Sequence, residues 1–315
     1  MDWSSAAFVF PGQGSQVVGM AKDFADSYPV AHELIQQADD ILGFSLSALM
    51  FEGPDELLND TINTQPALYV SGLAILRALQ AELPDAKPAF VAGHSLGEFT
   101  ALTAAGALPF AAGVRLVRER GRLMKAAGDT QPGAMAAILG LDSAKVREVC
   151  AEAAAQTGST LVLANDNCPG QSVISGDTAA LEVGLTLAKS AGARRAIKLA
   201  VSIASHSPLM QPAADAFAAA LAQVDFSAPT VPIYGNVSAA PLAGVADIRR
   251  ELETQLTNSV RWTETVQHMV ADGAQTFLEI GTKDVLVGLN KRIDETKTAV
   301  PINTVANLRL FVEKQ

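Results

Sequence analysis

The stretch Ala89-Phe90-Val91-Ala92-Gly93-His94-Ser95-Leu96-Gly97-Glu98 decides how this chain of 315 residues is read. Residues 89–92 form a short, wholly apolar run, the pattern of a strand buried on both faces. Gly93 to Gly97 then match G-x-S-x-G, and a helical pattern starts at Glu98. A strand-to-helix turn this sharp pushes the serine Oγ out into a cleft. Glycines flank it because side chains there would clash, and the N–H of Leu96 is left pointing from a helix N-terminus at any oxyanion formed on the serine. The competing reading is a plain tight turn. The strand before and the helix after favour a nucleophile at Ser95.

Outward from this turn the chain alternates. Residues 7–10 are an apolar run ending in Pro11-Gly12-Gln13-Gly14, and helical patterns cover 23–42 and 64–80. Residues 101–117 are Ala-rich but broken by Gly106, Pro109 and Gly113. They read as helix, turn, helix, because a membrane span needs about 20 consecutive apolar residues. Such alternation predicts a parallel sheet with helices on its faces. The middle is different: strand 133–140, helix 142–155, strand 161–164, turn chemistry in Asn165-Asp166-Asn167-Cys168-Pro169-Gly170, strand 172–175, helix 178–191 and strand 195–199. That β-α-β-β-α-β order is ferredoxin-like. We expect it to form a small subdomain, 130–199, inserted in a larger α/β domain, 1–129 plus 200–315. The larger domain resumes near Val201, with a helix from Pro208, a strand over 231–234 and helices either side of Trp262. A strand over 276–280 and a helix over 285–293 close it.

Composition narrows the classes. Hydrophobic residues are 49% and charged residues 18%, which excludes a disordered chain. A net charge of -10 argues against sequence-independent nucleic-acid binding, which depends on neutralising phosphates. Cys150 and Cys168 make no CxxC and no zinc spacing, so a reduced compartment is expected. With no basic segment ahead of an apolar run at the N-terminus, a cytoplasmic protein without membrane attachment is expected.

A serine nucleophile needs a base. Of the four histidines, His32 reads as a surface residue, His268 as a helix-face residue, and His94 as a supporting group beside the serine. His206, in Ser205-His206-Ser207-Pro208, lies in a loop far downstream of the elbow, where such a base belongs; a capping role is its alternative. No acidic residue between Ser95 and His206 stands out as a third group. In the helix over 113–127, Arg115, Arg118, Arg122 and Lys125 form a polar face, whereas Arg120 falls on the apolar stripe. A charge there needs a partner, either an internal salt bridge or a substrate anion held bidentately. Near a nucleophile, the anion is favoured. The loop Pro11-Gly12-Gln13-Gly14 lacks the G-x-G-x-x-G and Walker patterns. By itself it is a turn whose N–H groups could complete an oxyanion hole.

Taken together, these motifs resemble the malonyl-CoA:acyl carrier protein transacylase family, which includes polyketide synthase acyltransferase domains. The likeness runs in order through Phe10-Pro11-Gly12-Gln13-Gly14-Ser15-Gln16, Thr64-Gln65-Pro66-Ala67, Gly93-His94-Ser95-Leu96-Gly97-Glu98 and Arg118-Glu119-Arg120-Gly121. It continues through Gly133-Ala134-Met135-Ala136-Ala137, Asn167-Cys168-Pro169-Gly170-Gln171, Ser205-His206 and Glu279-Ile280-Gly281. The resemblance implies an α/β fold, a hydrolase-like parallel-sheet large domain with an inserted ferredoxin-like small subdomain. It implies Ser95 as the acylated nucleophile, His206 as its base, the N–H groups of Gln13 and Leu96 as the oxyanion hole, and Arg120 on the malonyl carboxylate, with His94 in the substrate site. Gln255 matches a position whose backbone carbonyl orients the histidine. Malonyl-CoA and phosphopantetheine are then substrates, with no cofactor and no metal. The expected partners are an acyl carrier protein and a coenzyme A thioester, with no nucleic acid and no membrane, for a monomer in fatty-acid synthesis. Ile203-Ala204-Ser205-His206 matches neither the Tyr-Ala-Ser-His nor the His-Ala-Phe-His form seen in polyketide members, and malonyl leads. The rivals are a discrete polyketide synthase acyltransferase, a serine thioesterase or hydrolase, and a non-catalytic carrier-binding subunit. Docking an acidic carrier needs a local basic patch. Its candidates are Lys189, Arg194, Arg195 and Lys198, or Lys283, Lys291 and Arg292.

Overall fold

A computed structural model describes all residues, Met1–Gln315. Its strands are β1 (Ala6–Phe10), β2 (Phe90–Gly93), β3 (Gly133–Leu139), β4 (Leu161–Cys168), β5 (Gln171–Asp177), β6 (Arg195–Lys198), β7 (Ile233–Tyr234), β8 (Thr276–Ile280) and β9 (Thr298–Ile302). Five build one sheet in the order β7-β2-β1-β8-β9, every neighbouring pair parallel. β1 lies at its centre with all five residues buried, so its sequence has no polar alternation. The other four form an antiparallel sheet in the order β4-β5-β3-β6, with its own apolar core around Ile138, Val149, Leu163, Ile174 and Leu181. Both the mixed α/β class and the β-α-β-β-α-β order predicted from sequence are present.

Several boundaries differ from the reading of the sequence, each for a physical reason. The pattern over 23–42 is two helices, Lys22–Ser27 and Pro29–Leu42, because Pro29 has no N–H to continue the first and fits the opening turn of the second. The helix expected over 64–80 runs Thr61–Glu82 straight through Pro66. Proline cannot donate to the carbonyl four residues back. That carbonyl, of Ile62, instead accepts from Arg118 Nη1 at 2.9 Å. The segment expected to turn from Asn165 is strand up to Cys168, leaving Pro169-Gly170 as the turn. Two register shifts along β4 and a bridge to Val260 accommodate buried Asn165, Asp166 and Asn167. The chain also continues past the helix Val285–Ile293 into β9 and a last helix, Val305–Val312, which the sequence reading omitted.

The sheet positions the site because its parallel strands all end on one side. Pro11 to Gln13 follow β1, His94 and Ser95 follow β2, and Asn236 lies just past β7. Glu279, near the end of β8, is fully buried. Its Oε2 accepts from Val287 N at 2.7 Å, while Oε1 has no partner. Burial pushes its carboxyl up to about 7, against the donated N–H groups at the start of the Val285–Ile293 helix. The folded state therefore holds this proton over a range where the unfolded chain has released it. The resulting stabilisation is complete below about pH 4.5 and is lost as pH rises to about 7, an effect of about 3 kcal/mol at most. Glu279→Gln should abolish that slope. Melting curves of the two proteins from pH 5 to 8 are the check, with Glu279→Gln gaining relative to wild type toward pH 8.

Candidate active site

The elbow is built by close packing. A Cβ on Gly93 would lie 1.9 Å from the carbonyl of Gly97, and one on Gly97 would lie 2.0 Å from the carbonyl oxygen of Phe10. Only glycines let the helix Gly97–Ala104 approach β1 and β2 so tightly. Between them Ser95 takes φ +51°, a left-handed conformation that costs roughly 1 kcal/mol or more for a residue with a side chain. Its Oγ faces His206 Nε2 at 2.8 Å. His206 is buried, and its Nδ1–H points at the carbonyl oxygens of Gln255 at 2.9 Å and Asn258 at 3.2 Å. No carboxylate touches the ring. Two backbone carbonyls fix the tautomer that leaves Nε2 free to accept a proton. Burial, then the charge of Arg120, push the imidazole pKa down to about 3, against the Gln255 hydrogen bond. The ring is neutral throughout the ordinary histidine range. Single-turnover acylation of Ser95 should therefore hold its rate from pH 8 down to about 5, without an inflection near 6.5; rapid-quench acylation across that range checks it.

Arg120 is buried at 2% exposure, on the inner face of the helix Phe110–Thr130. Its Nη1 donates to Gln65 Oε1 at 2.9 Å, and its Nη2 to Gln255 Oε1 at 2.8 Å and Ser95 Oγ at 3.3 Å. Its Nε–H has no partner. The internal salt bridge is absent: the guanidinium is held by two amide oxygens and lies 5.5 Å from the Phe99 ring centre. Burial lowers its pKa to about 10, so it remains a cation at neutral pH. Behind it, Glu98 is buried and accepts from Gln255 Nε2. Burial and the nearby Glu251 hold the Glu98 carboxyl well above the usual carboxylate range.

A cavity of about 250 Å³ opens over these groups, lined by Gln13, His94, Ser95, Leu96, Arg120 and His206 and walled by Val201, Ile203, Leu286 and Leu289. The backbone N–H groups of Gln13 and Leu96 donate to no protein acceptor. Gln13 Oε1 accepts from Thr61 Oγ1 at 3.1 Å, which ties the first loop to the Thr61–Glu82 helix. His94 Nε2 lies 2.8 Å from Asn167 Oδ1. All seven site residues named from the sequence thus belong to one cluster, six on the cavity and Gln255 behind it. His32 is exposed, and His268 Nδ1 lies 2.6 Å from the carbonyl of Ala239, away from it. Gln65, Glu98 and the side chain of Gln255 were not assigned roles by sequence, nor was Asn236. For Asn236 a signal exists: a polar residue one glycine past a strand of a parallel sheet.

An elbow serine facing a carbonyl-oriented histidine beside a buried cation is an arrangement suited to nucleophilic chemistry on an anionic acyl group, set on an α/β fold. The acyl transferase domain model matches residues 7–307, and the chain belongs to that family. The malonyl CoA-acyl carrier protein transacylase of Escherichia coli (strain K12) is 48% identical over 307 residues, covering 98% of both chains. The crystal structure of the malonyl-CoA:acyl carrier protein transacylase from Xanthomonas oryzae superposes with a TM-score of 0.95 at 45% identity, over 100% of this chain and 99% of that one. A malonyl-transacylase solved in complex with a type II polyketide synthase acyl-carrier protein gives a TM-score of 0.94 at 43% identity, over 99% and 100% of the two chains.

Proposed function

We propose that this chain moves a malonyl group from malonyl-CoA to the phosphopantetheine thiol of an acyl carrier protein through a Ser95 acyl-enzyme. The observation that carries this reading is Arg120, a buried cation 3.3 Å from Ser95 Oγ whose other partners are two amide oxygens and no carboxylate. An anionic acyl group can take the guanidinium without first displacing a carboxylate, and its thioester carbon then lies at Ser95. The full-length relatives, each named for malonyl transfer, support the same conclusion.

In the first half-reaction His206 Nε2 takes the Ser95 proton as Oγ attacks the thioester carbon. The oxyanion forms against the N–H groups of Gln13 and Leu96, each donor contributing about 3 kcal/mol in sites of this kind. Collapse breaks the C–S bond, and the coenzyme A sulfur leaves with the proton from His206. In the second half the pantetheine thiol gives its proton to His206 and attacks the acyl-serine, and Ser95 Oγ recovers the proton. The reaction needs no cofactor and no metal. The same proposal places the enzyme in fatty-acid synthesis, as a cytoplasmic monomer with residues 130–199 as a separate subdomain beside 1–129 and 200–315.

Malonyl-CoA should add a malonyl mass to the intact protein within seconds, and holo carrier protein should remove it. Coenzyme A release without an adduct would mean hydrolysis and overturn the proposal. Carrier docking draws on the basic residues, and their surroundings sort them. Arg292 spends both Nη groups on Gln171 Oε1 and the Pro169 carbonyl, each at 2.7 Å, Lys198 pairs with Glu182 at 2.6 Å, and Lys283 donates to the Gly14 carbonyl at 2.9 Å. Lys189, Arg194, Arg195 and Lys291 are exposed and form no ion pair. Discharge to carrier protein should slow several-fold from low salt to about 0.5 M, while loading from malonyl-CoA changes less; parallel salt titrations of the two half-reactions are the measurement.

A further inference from the structure

We infer that Asn236 is a positioning residue for acyl transfer: its side-chain amide bridges the two sides of the nucleophile elbow and holds Ser95 in its left-handed conformation. Asn236 Oδ1 accepts from Ser95 N at 2.6 Å, and Asn236 Nδ2 donates to the Gly93 carbonyl at 2.7 Å. One planar amide thus satisfies a donor and an acceptor two residues apart, on either side of His94. A residue at φ +51° turns its N–H out of the ordinary turn pattern, and no other group accepts from Ser95 N. Asn236 is fully buried, so water cannot replace the bond.

The bridge is itself held rigidly. Asn236 follows β7, which pairs with β2, the strand that leads into the elbow. Its carbonyl accepts from Arg261 N at 2.9 Å. The next two N–H groups, of Val237 and Ser238, donate to the two carboxylate oxygens of buried Glu251 at 2.5 and 3.1 Å. A Cβ on Gly235 would lie 2.6 Å from that carboxylate, so only glycine lets the turn pack this closely against it. On the opposite side the Ser95 carbonyl accepts from Gln255 Nε2 at 3.0 Å. The two amides therefore grip Ser95 at its N–H and its C=O. Together they set where Oγ points and where the following N–H, that of Leu96, is aimed. Asn236 touches neither substrate nor the reacting atoms; it acts through Ser95.

The functional consequence rests on the transfer reading above, and the test separates the two. Wild-type protein, Asn236→Ala and Asn236→Asp are treated with a fluorophosphonate, which reports Ser95 reactivity without any acyl-CoA, and their malonyl transfer kinetics are measured. Aspartate keeps the acceptor for Ser95 N but opposes a second oxygen to the Gly93 carbonyl. Both variants should lose about 10- to 100-fold in labelling rate and in kcat, with KM for malonyl-CoA within about threefold, because a misplaced nucleophile costs rate and not binding. In the wild type the Ser95 amide should be protected from hydrogen exchange. A folded variant that labels at the wild-type rate overturns the inference, as does rapid exchange of the Ser95 amide. A wild type that takes the fluorophosphonate but no malonyl overturns the transfer reading alone, and the labelling comparison still decides for Asn236.

Discussion

Ser95→Ala should acquire no malonyl mass and should transfer malonyl groups more slowly than wild type by about 10⁴- to 10⁶-fold. In the proposed mechanism the acyl group rests on the Ser95 oxygen between donor and acceptor. His206→Ala should cost nearly as much, because Oγ would then be a neutral alcohol with no acceptor for its proton. The double variant should be no worse than either single one, since the two groups act as one unit through the 2.8 Å contact. Some turnover by direct thiol attack could survive at the intact N–H groups of Gln13 and Leu96. Intact mass spectrometry after a few seconds with malonyl-CoA distinguishes the cases: wild type carries the adduct and Ser95→Ala does not. A Ser95→Ala protein that still gained malonyl mass would place the nucleophile elsewhere.

Arg120→Ala should lower malonyl loading by about 100-fold or more, the effect of removing a charge-assisted hydrogen bond of about 3 kcal/mol. Loading from acetyl-CoA should not fall in proportion. It should hold or rise, because a buried cation is a poor neighbour for a methyl group. The ratio of malonyl to acetyl loading is the quantity to measure, since it is insensitive to any loss of folded protein. Such a loss is expected, because the variant leaves Gln65 Oε1 and Gln255 Oε1 buried without the donor they now accept from. Arg120→Lys should recover only part of the preference. An ammonium cannot span the two amide oxygens and still present a flat pair of donors to a carboxylate. An unchanged ratio in Arg120→Ala would remove the observation on which the malonyl assignment rests.

The elbow serine, the loop histidine and the buried cation each carry a local signature in the sequence. Gly93-His94-Ser95-Leu96-Gly97 between an apolar run and a helix fixes its own geometry by sterics, whatever surrounds it. Arg120 was visible as a charge at an apolar position of a helical period, and burial followed from that period alone. The group orienting His206 had no such mark, since it is a main-chain carbonyl, which every residue carries. No acid marks the sequence because none touches the ring. Gln65 and Asn236 are ordinary amides in sequence. They matter only because the Thr61–Glu82 helix and the turn after β7 bring them to Arg120 and Ser95.

Local chemistry in the sequence thus determined the alternation of strands and helices, the inserted β-α-β-β-α-β unit, and the kinds of residue a reaction would use. Short-range sterics and helical periodicity act within a few residues, so they survive in one dimension. Tertiary packing alone decided that Asn165 to Cys168 continue as strand, where burial and a bridge to Val260 override turn propensity. It alone closed the sheet edge with β9. It also left the guanidinium of Arg120 between two amides and beside Ser95, because a buried charge is set by partners 55 and 135 residues distant in the chain.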